Sequence, residues 1–233
     1  MIPLRSEIKR GSFPLINILL IIANIAVFAH QLSLSPRAGE LFVQQFGLVP
    51  LRAERALAHP GPQLGPALVP LVTSMFLHGG ILHILGNMLF LWVFGGNVED
   101  RLGHLKYLGF YFICGIGAGL AQLLVNWGSR LPSVGASGAI SGVMGAYIVL
   151  FPGGRILMLV PLLIFFFTVR IPALLVLGYW FVIQFLSGLS TIGQIDQGGV
   201  AWWAHIGGFL LGMFLVWGLR QQKRQYGFWS PGG

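Results

Sequence analysis

Long apolar runs alternate with shorter polar segments along this chain of 233 residues. Residues 13–32 hold no charged side chain, and about 20 apolar residues are what a helix needs to cross a hydrocarbon core about 30 Å thick. Five more apolar runs follow at residues 80–96, 107–127, 135–151, 171–187 and 200–219. The pattern predicts an all-α membrane protein in which six transmembrane helices form one bundle.

Two segments do not fit a spanning helix. Residues 33–76 carry charges and many prolines and glycines, so they predict a long loop that stays outside the bilayer core. Residues 156–169 are apolar but number only 14 and contain Pro161 in the middle. A run of that length is more typical of an interfacial or re-entrant segment than of a span.

The distribution of Lys and Arg supports six spans with a cytoplasmic N-terminus, because these residues accumulate in cytoplasmic loops. Six spans place ten cations inside and four outside, whereas a seventh span at residues 156–169 would give six inside and eight outside. The inner group is Arg5, Lys9, Arg10, Arg101, Lys106, Arg155, Arg170, Arg220, Lys223 and Arg224, and the outer group is Arg37, Arg52, Arg55 and Arg130. The prediction is a cytoplasmic segment 1–12, a membrane domain 13–219 and a cytoplasmic tail 220–233.

Composition excludes other classes of protein. Only 9% of the residues are charged and 55% are hydrophobic, which is too little polarity for a water-facing surface and too much hydrophobicity for a disordered chain. The net charge of +8 is explained by membrane anchoring, so nucleic acid is not an expected partner. The single cysteine, Cys114, lies in an apolar run, and we expect neither a metal nor a cofactor.

Polar side chains inside apolar spans are costly and point to function. His83 and Asn87 lie four residues apart in the second span, Ser137 begins the fourth, and His205 begins the sixth. These three spans run in the same direction, so the four side chains lie at a similar depth, about 5 to 10 Å below the outer boundary. Closely spaced glycines in the fourth and sixth spans allow the helices to approach each other.

Other interpretations remain open for each residue taken separately. Ser137 between glycines is also typical of helix packing, and His83 with Asn87 could be an interhelical hydrogen-bonded pair. His205 could line a proton or substrate path in a transporter, although the chain has few intramembrane carboxylates and no internal repeat. Only a shared pocket accounts for the common depth of the polar residues on all three spans.

The chain resembles the rhomboid family of intramembrane serine proteases over nearly its whole length. The resemblance rests on several motifs in one order: HILGN at 83–87, NVEDRLG at 97–103, GASG at 135–138, GYWF at 178–181 and AHIGG at 204–208. It implies a minimal six-transmembrane-helix rhomboid-like bundle in a cell membrane, with a bacterial inner membrane as the expected location. Glu99 and Arg101 then match a structural loop of the family.

The resemblance implies a role for each candidate residue. Ser137 matches the nucleophile and His205 the general base and acid, which together form a Ser-His dyad, while His83 and Asn87 match side chains that stabilise the oxyanion. Single-span membrane proteins are the implied substrates, cleaved near their outer ends. A non-catalytic rhomboid-like protein that binds membrane helices is the alternative.

Access to such a site and the orientation of its histidine raise two further expectations. Residues 189–199, which include Asp196 and Gly198, could act as a lid over the site. The fifth span, with its bulky aromatic residues, could act as a lateral gate. Many relatives have a tyrosine one turn after the nucleophile, where this chain has Ser141. That difference makes Trp202 and Trp203 the candidates for orienting His205.

Overall fold

Helices make up most of the computed structural model, which describes residues 1–162, 165–193 and 199–226, with the backbone alone over 219–226. In chain order they are α1 (Leu15–Ser33), α2 (Pro36–Phe46), α3 (Pro50–Ala58), α4 (Leu64–Leu68), α5 (Pro70–Thr73), α6 (Ile81–Phe90), α7 (Gly96–Leu102), α8 (His104–Val125), α9 (Ser137–Leu150), α10 (Ala173–Ser190) and α11 (Trp202–Tyr226). A 3₁₀ turn at Ser74–Phe76 follows α5, and a π-helical turn at Leu91–Gly95 joins α6 to α7. Asp196 and Gly198 of the expected lid, and residues 227–233 of the expected tail, lie outside the described residues.

The helices confirm a multi-pass membrane protein. Within the described residues, four helices are long and apolar enough to cross a bilayer: Leu15–Ser33, Ile81–Leu102, His104–Val125 and Ala173–Ser190. Ser137–Leu150 and Trp202–Gly218 coincide with the fourth and sixth predicted spans but are shorter. Helix length therefore supports four of the six predicted spans.

A small sheet accompanies the helices, which the all-helical prediction did not include. Strands β1 (Ile2–Ser6), β2 (Arg155–Leu162) and β3 (Phe165–Pro172) are antiparallel in the order β1-β2-β3. The described residues of the apolar run at 156–169 thus belong to strands β2 and β3, because Pro161 disfavours a helix and the aromatic and β-branched residues after it favour strands. An ion pair of 2.7 Å between Arg170 and Glu7 joins β3 to the N-terminal segment.

Helix α9 is the centre of the bundle and lies between α8 and α11. Its residues from Gly138 to Tyr147 are all buried. A Cβ at Gly208 would overlap the carbonyl oxygen of Gly138, and one at Gly212 would overlap that of Gly142. The predicted close approach of the fourth and sixth apolar segments is therefore confirmed, with the two backbones in direct contact.

Two acidic residues after the π-helical turn hold the N-terminal segment in place. The carboxylate of Glu99 is fully buried and accepts the backbone N–H groups of Ile16 and Asn17 at 2.9 and 2.8 Å, while His104 Nδ1 lies 2.5 Å from it. The neighbouring Asp100 accepts the backbone N–H of Gly11 at 3.1 Å. Both acids serve as anchors for the beginning of α1, where a negative charge also complements the helix dipole.

The segment before α6 supports the loop that leads into α9. Leu48 and Ser133 exchange two backbone hydrogen bonds of 3.0 and 2.9 Å, and the N–H of Gly135 donates to the carbonyl oxygen of Ser74 at 2.9 Å. Residues 33–76, predicted as a long loop, contain the short helices α2 to α5. Through these backbone bonds they position the chain immediately before Ser137.

Candidate active site

Ser137 and His205 are hydrogen-bonded partners although 68 residues separate them. Ser137 is the first residue of α9, and His205 lies in the first turn of α11. The Oγ of Ser137 is 2.7 Å from Nε2 of His205, which is the distance at which an imidazole can accept a hydroxyl proton. The imidazole is buried, with 8% of the residue exposed.

The other ring nitrogen of His205 contacts a residue that the sequence analysis missed. Nδ1 lies 2.7 Å from Oε1 of Gln184, a buried residue of α10. The missed signal was available: Gln184 is a polar side chain inside an apolar span, and the same criterion singled out His83. Trp202, one of the two expected supports, does contact the ring edge-on, with centroids 6.3 Å apart.

Ser141, which replaces the tyrosine of many relatives, does not contact His205 through its hydroxyl. Its Oγ donates to the carbonyl oxygen of Ser137, one turn earlier, at 2.6 Å. This is the usual way in which a buried serine satisfies its hydroxyl inside a helix. Trp180 of α10 covers the imidazole instead, with ring centroids 5.8 Å apart and an interplanar angle of 34°.

His83 faces the beginning of α9. The backbone N–H of Gly79 donates to its Nδ1 at 3.3 Å, so the neutral ring carries its proton on Nε2. Gly135 has no side chain, but a Cβ built on its backbone would lie 2.9 Å from this Nε2 and 3.5 Å from Ser137 Oγ. A donor N–H and the serine hydroxyl therefore lie on two sides of the same small space.

Asn87 lies one helical turn after His83 and contributes an unused donor. The residue is 6% exposed, and its Nδ2 has no hydrogen-bond partner among the described residues. Burying an amide without a partner is unfavourable by about 1–3 kcal/mol, and the free donor is available to a ligand or a reacting group. Asn87 and Ser137 line the same cavity.

The imidazole of His78 packs against that of His83. The two imidazoles pack edge-on with centroids 5.2 Å apart, and Phe28 also packs edge-on with His78, at 6.2 Å. The side chain of Gln31 accepts the backbone N–H of His78 at 3.0 Å and donates to its carbonyl oxygen at 3.2 Å. Helix α1 thereby helps to position the segment that carries His83.

A single cavity of about 670 Å³ contains all four predicted site residues. Trp180 of α10 and Phe90 of α6 lie on its wall, and Thr191 and Gly199 border it on either side of residues 194–198, which the structure does not describe. Residues of α6 and α10 therefore line the cavity together with Thr191 and Gly199, two described residues of the segment expected to form a lid.

The arrangement combines the parts needed for acyl transfer. A serine hydroxyl is bonded to a buried imidazole, and two side-chain donors, His83 Nε2 and Asn87 Nδ2, lie in the same cavity. Because Ser137 is the first residue of α9, its backbone N–H belongs to the first turn, where N–H groups lack an intrahelical acceptor. A nucleophile, a base and donors for a developing negative charge thus surround one space.

Comparison with known proteins agrees with this architecture. The family model of the rhomboid domain matches residues 66–222. RHOMBOID-like protein 5 of Arabidopsis thaliana is 32% identical over 164 residues, which are 69% of this chain and 47% of that protein. RHOMBOID-like protein 1 of Arabidopsis thaliana is 29% identical over 94% of this chain and 56% of its own length. The mitochondrial Rhomboid protein 1 of Saccharomyces cerevisiae is 30% identical over 64% of this chain and 41% of its own length.

The chain belongs to the rhomboid family, because the family model covers more than half of it and includes all four candidate residues. The chain spans about half the length of the curated relatives that it matches. Family membership and the multi-pass helical fold are thereby established.

Proposed function

We propose that this protein is an intramembrane serine endopeptidase that hydrolyses peptide bonds of membrane-spanning helical proteins. The observation that carries the proposal is the 2.7 Å hydrogen bond between Ser137 Oγ and His205 Nε2 in the cavity that all four candidate residues line. Ser137 is the nucleophile, and His205 is the general base and then the general acid. The reaction needs no cofactor and no metal.

The first half of the reaction transfers the acyl group to the serine. His205 Nε2 removes the hydroxyl proton as Ser137 Oγ attacks the substrate carbonyl carbon, so that an alkoxide never forms free in the membrane. The tetrahedral intermediate then collapses, the C–N bond breaks, and the imidazolium gives its proton to the leaving amine. In the second half, a water molecule repeats these steps on the acyl-enzyme and releases the carboxylic acid.

The negative oxygen of the tetrahedral intermediate needs preorganised donors. His83 Nε2, Asn87 Nδ2 and the backbone N–H of Ser137 supply them in this proposal. A single such donor contributes about 10² to 10³ in rate, since a low-dielectric site strengthens each hydrogen bond to the developing charge. The ring of His83 already faces this space, because its Nδ1 accepts the backbone N–H of Gly79 and its Nε2, like Ser137 Oγ, lies near the position that a Cβ on Gly135 would take.

The proposed substrates are single-span membrane proteins, which would reach the cavity from the lipid bilayer between α6 and α10. A transmembrane helix hides its carbonyls in its own hydrogen bonds, so local unwinding has to precede attack. The cavity presents polar side chains at the beginning of α9, among apolar ones, to which an unwound segment could bind. Cleavage near the outer face of the membrane follows from the depth expected for Ser137.

We place the protein in a cell membrane, as a bacterial inner membrane protein with both termini in the cytoplasm. The pairing of β1 with β2 supports this orientation, because it puts the N-terminal segment on the same side as the connection from α9 to α10. The cation count assigns that side to the cytoplasm. The proposed units are the segment 1–12, the membrane domain 13–219 and the tail 220–233.

The test compares the purified wild type with Ser137→Ala and His205→Ala in detergent on a single-span helical substrate. The control variant is Ser33→Ala, whose exposed hydroxyl donates to His30 at the end of α1. We expect cleavage by the wild type and the control, and none by the other two variants. A serine-reactive fluorophosphonate should label the wild type and the control but not Ser137→Ala.

Two outcomes would contradict the proposal. Cleavage that survives Ser137→Ala would rule out the assigned nucleophile. A wild type that binds the helical substrate but neither cleaves it nor reacts with the fluorophosphonate would instead support the non-catalytic, helix-binding function.

A further inference from the structure

We propose that Gln184 is a positioning residue that holds the imidazole of His205 in the tautomer required for catalysis, so that helix α10 forms part of the catalytic apparatus. The proposal rests on the proposed serine endopeptidase function and extends the Ser-His dyad by a neutral third member. The observation behind it is the 2.7 Å contact between Gln184 Oε1 and His205 Nδ1.

The chemistry of the two atoms determines the direction of this bond. An amide carbonyl oxygen only accepts hydrogen bonds, so Nδ1 of His205 is the donor and carries the proton of the neutral ring. Nε2 is then unprotonated and has a lone pair directed at Ser137 Oγ, 2.7 Å away. The opposite tautomer would place a proton on Nε2, and the imidazole could no longer act as a base for the serine.

Packing around Gln184 keeps its amide in this position. Gln184 is buried at the contact between α10 and α11, with 6% of the residue exposed. One turn before it, the ring of Trp180 stacks at 5.8 Å on His205 and at 6.0 Å on Phe209, and Phe181 packs on Phe209 at 4.9 Å. These contacts lie on the same face of α10 as Gln184, so they fix the distance between the amide and the imidazole.

A neutral partner suits this environment better than a carboxylate. A buried carboxylate would require a compensating charge in a low-dielectric site, whereas an amide loses far less on removal from water. No Asp or Glu among the described residues lines the cavity, so Gln184 supplies the hydrogen-bond acceptor that orients the ring without adding charge. The amide cannot neutralise an imidazolium, so its contribution is orientation and choice of tautomer.

The position of Gln184 on α10 has a consequence for substrate entry. If α10 moves outward to admit a helical substrate, the Gln184–His205 contact has to break, because the two residues belong to different helices. The base would regain its productive tautomer only when α10 packs on α11 again. An enzyme with α10 displaced would therefore bind substrate before it could cleave it.

The experiment compares Gln184→Leu, which removes the acceptor at similar volume, with Gln184→Glu, which keeps an oxygen at the same distance from the backbone. We expect Gln184→Leu to lower kcat by about 10²-fold, because orientation of the base is lost, and to leave KM unchanged. Gln184→Glu should recover most of kcat. The rate of fluorophosphonate labelling of Ser137 should follow kcat in both variants.

A second readout does not depend on activity. Side-chain ¹⁵N NMR, with the His205 signals identified by their loss in His205→Ala, reports which ring nitrogen carries the proton. We expect the Nδ1–H tautomer in the wild type and in Gln184→Glu, and a mixture with Nε2–H in Gln184→Leu. Thermal unfolding in the same detergent measures how far each variant remains folded.

The outcomes separate this inference from the proposed function. Full activity of Gln184→Leu, together with an inactive Ser137→Ala, would overturn the positioning role and leave the protease assignment intact. Equal loss of kcat in the Leu and Glu variants with an unchanged tautomer would also overturn it. Activity that survives Ser137→Ala would instead overturn the proposed function on which this inference rests.

Discussion

Gly208 of α11 lies directly against the backbone carbonyl of Gly138 in α9, so closely that a Cβ on Gly208 would overlap the carbonyl oxygen. Ser137 immediately precedes Gly138, and His205 lies three residues before Gly208 on the same helix. The contact between the two glycines therefore sets the separation between Ser137 and His205. Small residues in membrane helices allow backbones to approach in this way.

Gly208→Ala should abolish most activity by separating α9 from α11. The added methyl group would meet the Gly138 carbonyl, and a displacement of about 1 Å at the dyad is enough for a loss of about 10²-fold in kcat. Cleavage of a helical substrate by equal amounts of folded protein measures the effect. The matched control is Gly218→Ala on the same helix, where a Cβ meets nothing within 4 Å and activity should stay unchanged.

Gly135→Ala should impair the site through His83. Gly135 has φ +129°, and its Cβ position lies 2.8 Å from Cε1 and 2.9 Å from Nε2 of His83, so the substitution strains the backbone and displaces the imidazole. We expect the loss to fall on kcat. Gly103→Ala separates the two effects, since Gly103 also has positive φ, +82°, but open space around its Cβ position. Gly103→Ala should lower the free energy of unfolding by about 1–3 kcal/mol and leave kcat intact. An equal loss of kcat in Gly135→Ala and Gly103→Ala would contradict this explanation.

The four candidate residues could be predicted from sequence because polar side chains in apolar spans are few and parallel spans bring them to one depth. Ser137, His205, His83 and Asn87 do line one cavity. The same criterion applied to Gln184 would have found it, but its span runs antiparallel to the other three. A residue near the end of such a span reaches the same depth as residues near the beginning of the others.

The sheet could not be predicted from hydropathy, because periodicity does not distinguish a short buried helix from a strand. Residues 156–169 are apolar at almost every position, and pairing with β1 depends on the N-terminal segment, which is distant in sequence. The length of the fourth span was also overestimated. The apolar run covers residues 135–151, but α9 comprises only the 14 residues Ser137–Leu150.

Glu99→Gln should destabilise the protein without changing its chemistry. The buried carboxylate accepts two backbone N–H groups at the beginning of α1, and an amide offers one oxygen and one donor in their place. Leaving a buried donor unpaired lowers the free energy of unfolding by about 1–3 kcal/mol. Thermal unfolding in detergent measures the loss, and kcat per folded molecule should match the wild type.

The control for this substitution is Glu40→Gln, since Glu40 is exposed in α2. Removal of an exposed charge should leave the unfolding temperature within the error of the measurement. A fall in kcat of Glu99→Gln at unchanged stability would show that the acid takes part in the reaction, contrary to its proposed role as an anchor.

Asn87→Ala should reduce kcat by about 10² to 10³-fold and leave KM unchanged, because the oxyanion that Asn87 stabilises forms only after the substrate is bound. Asn87→Asp provides a sharper version of the test. Aspartate has the same size but lacks the amide donor, and in its ionised form it repels a negative oxygen. The Asp variant should therefore be at least as slow as the Ala variant.

Measurements of stability should distinguish the role of Asn87 from that of Asn24, a buried asparagine with a structural role. Nδ2 of Asn24 donates to the carbonyl oxygen of Leu20 at 2.7 Å within α1, so Asn24→Ala should lower the unfolding temperature and leave kcat intact. Nδ2 of Asn87 has no partner in the described part of the chain, and its removal deprives no protein acceptor of a donor. Asn87→Ala should consequently remain as stable as the wild type while it loses activity. A loss of stability in Asn87→Ala with normal kcat would reverse the two roles and remove Asn87 from the oxyanion site.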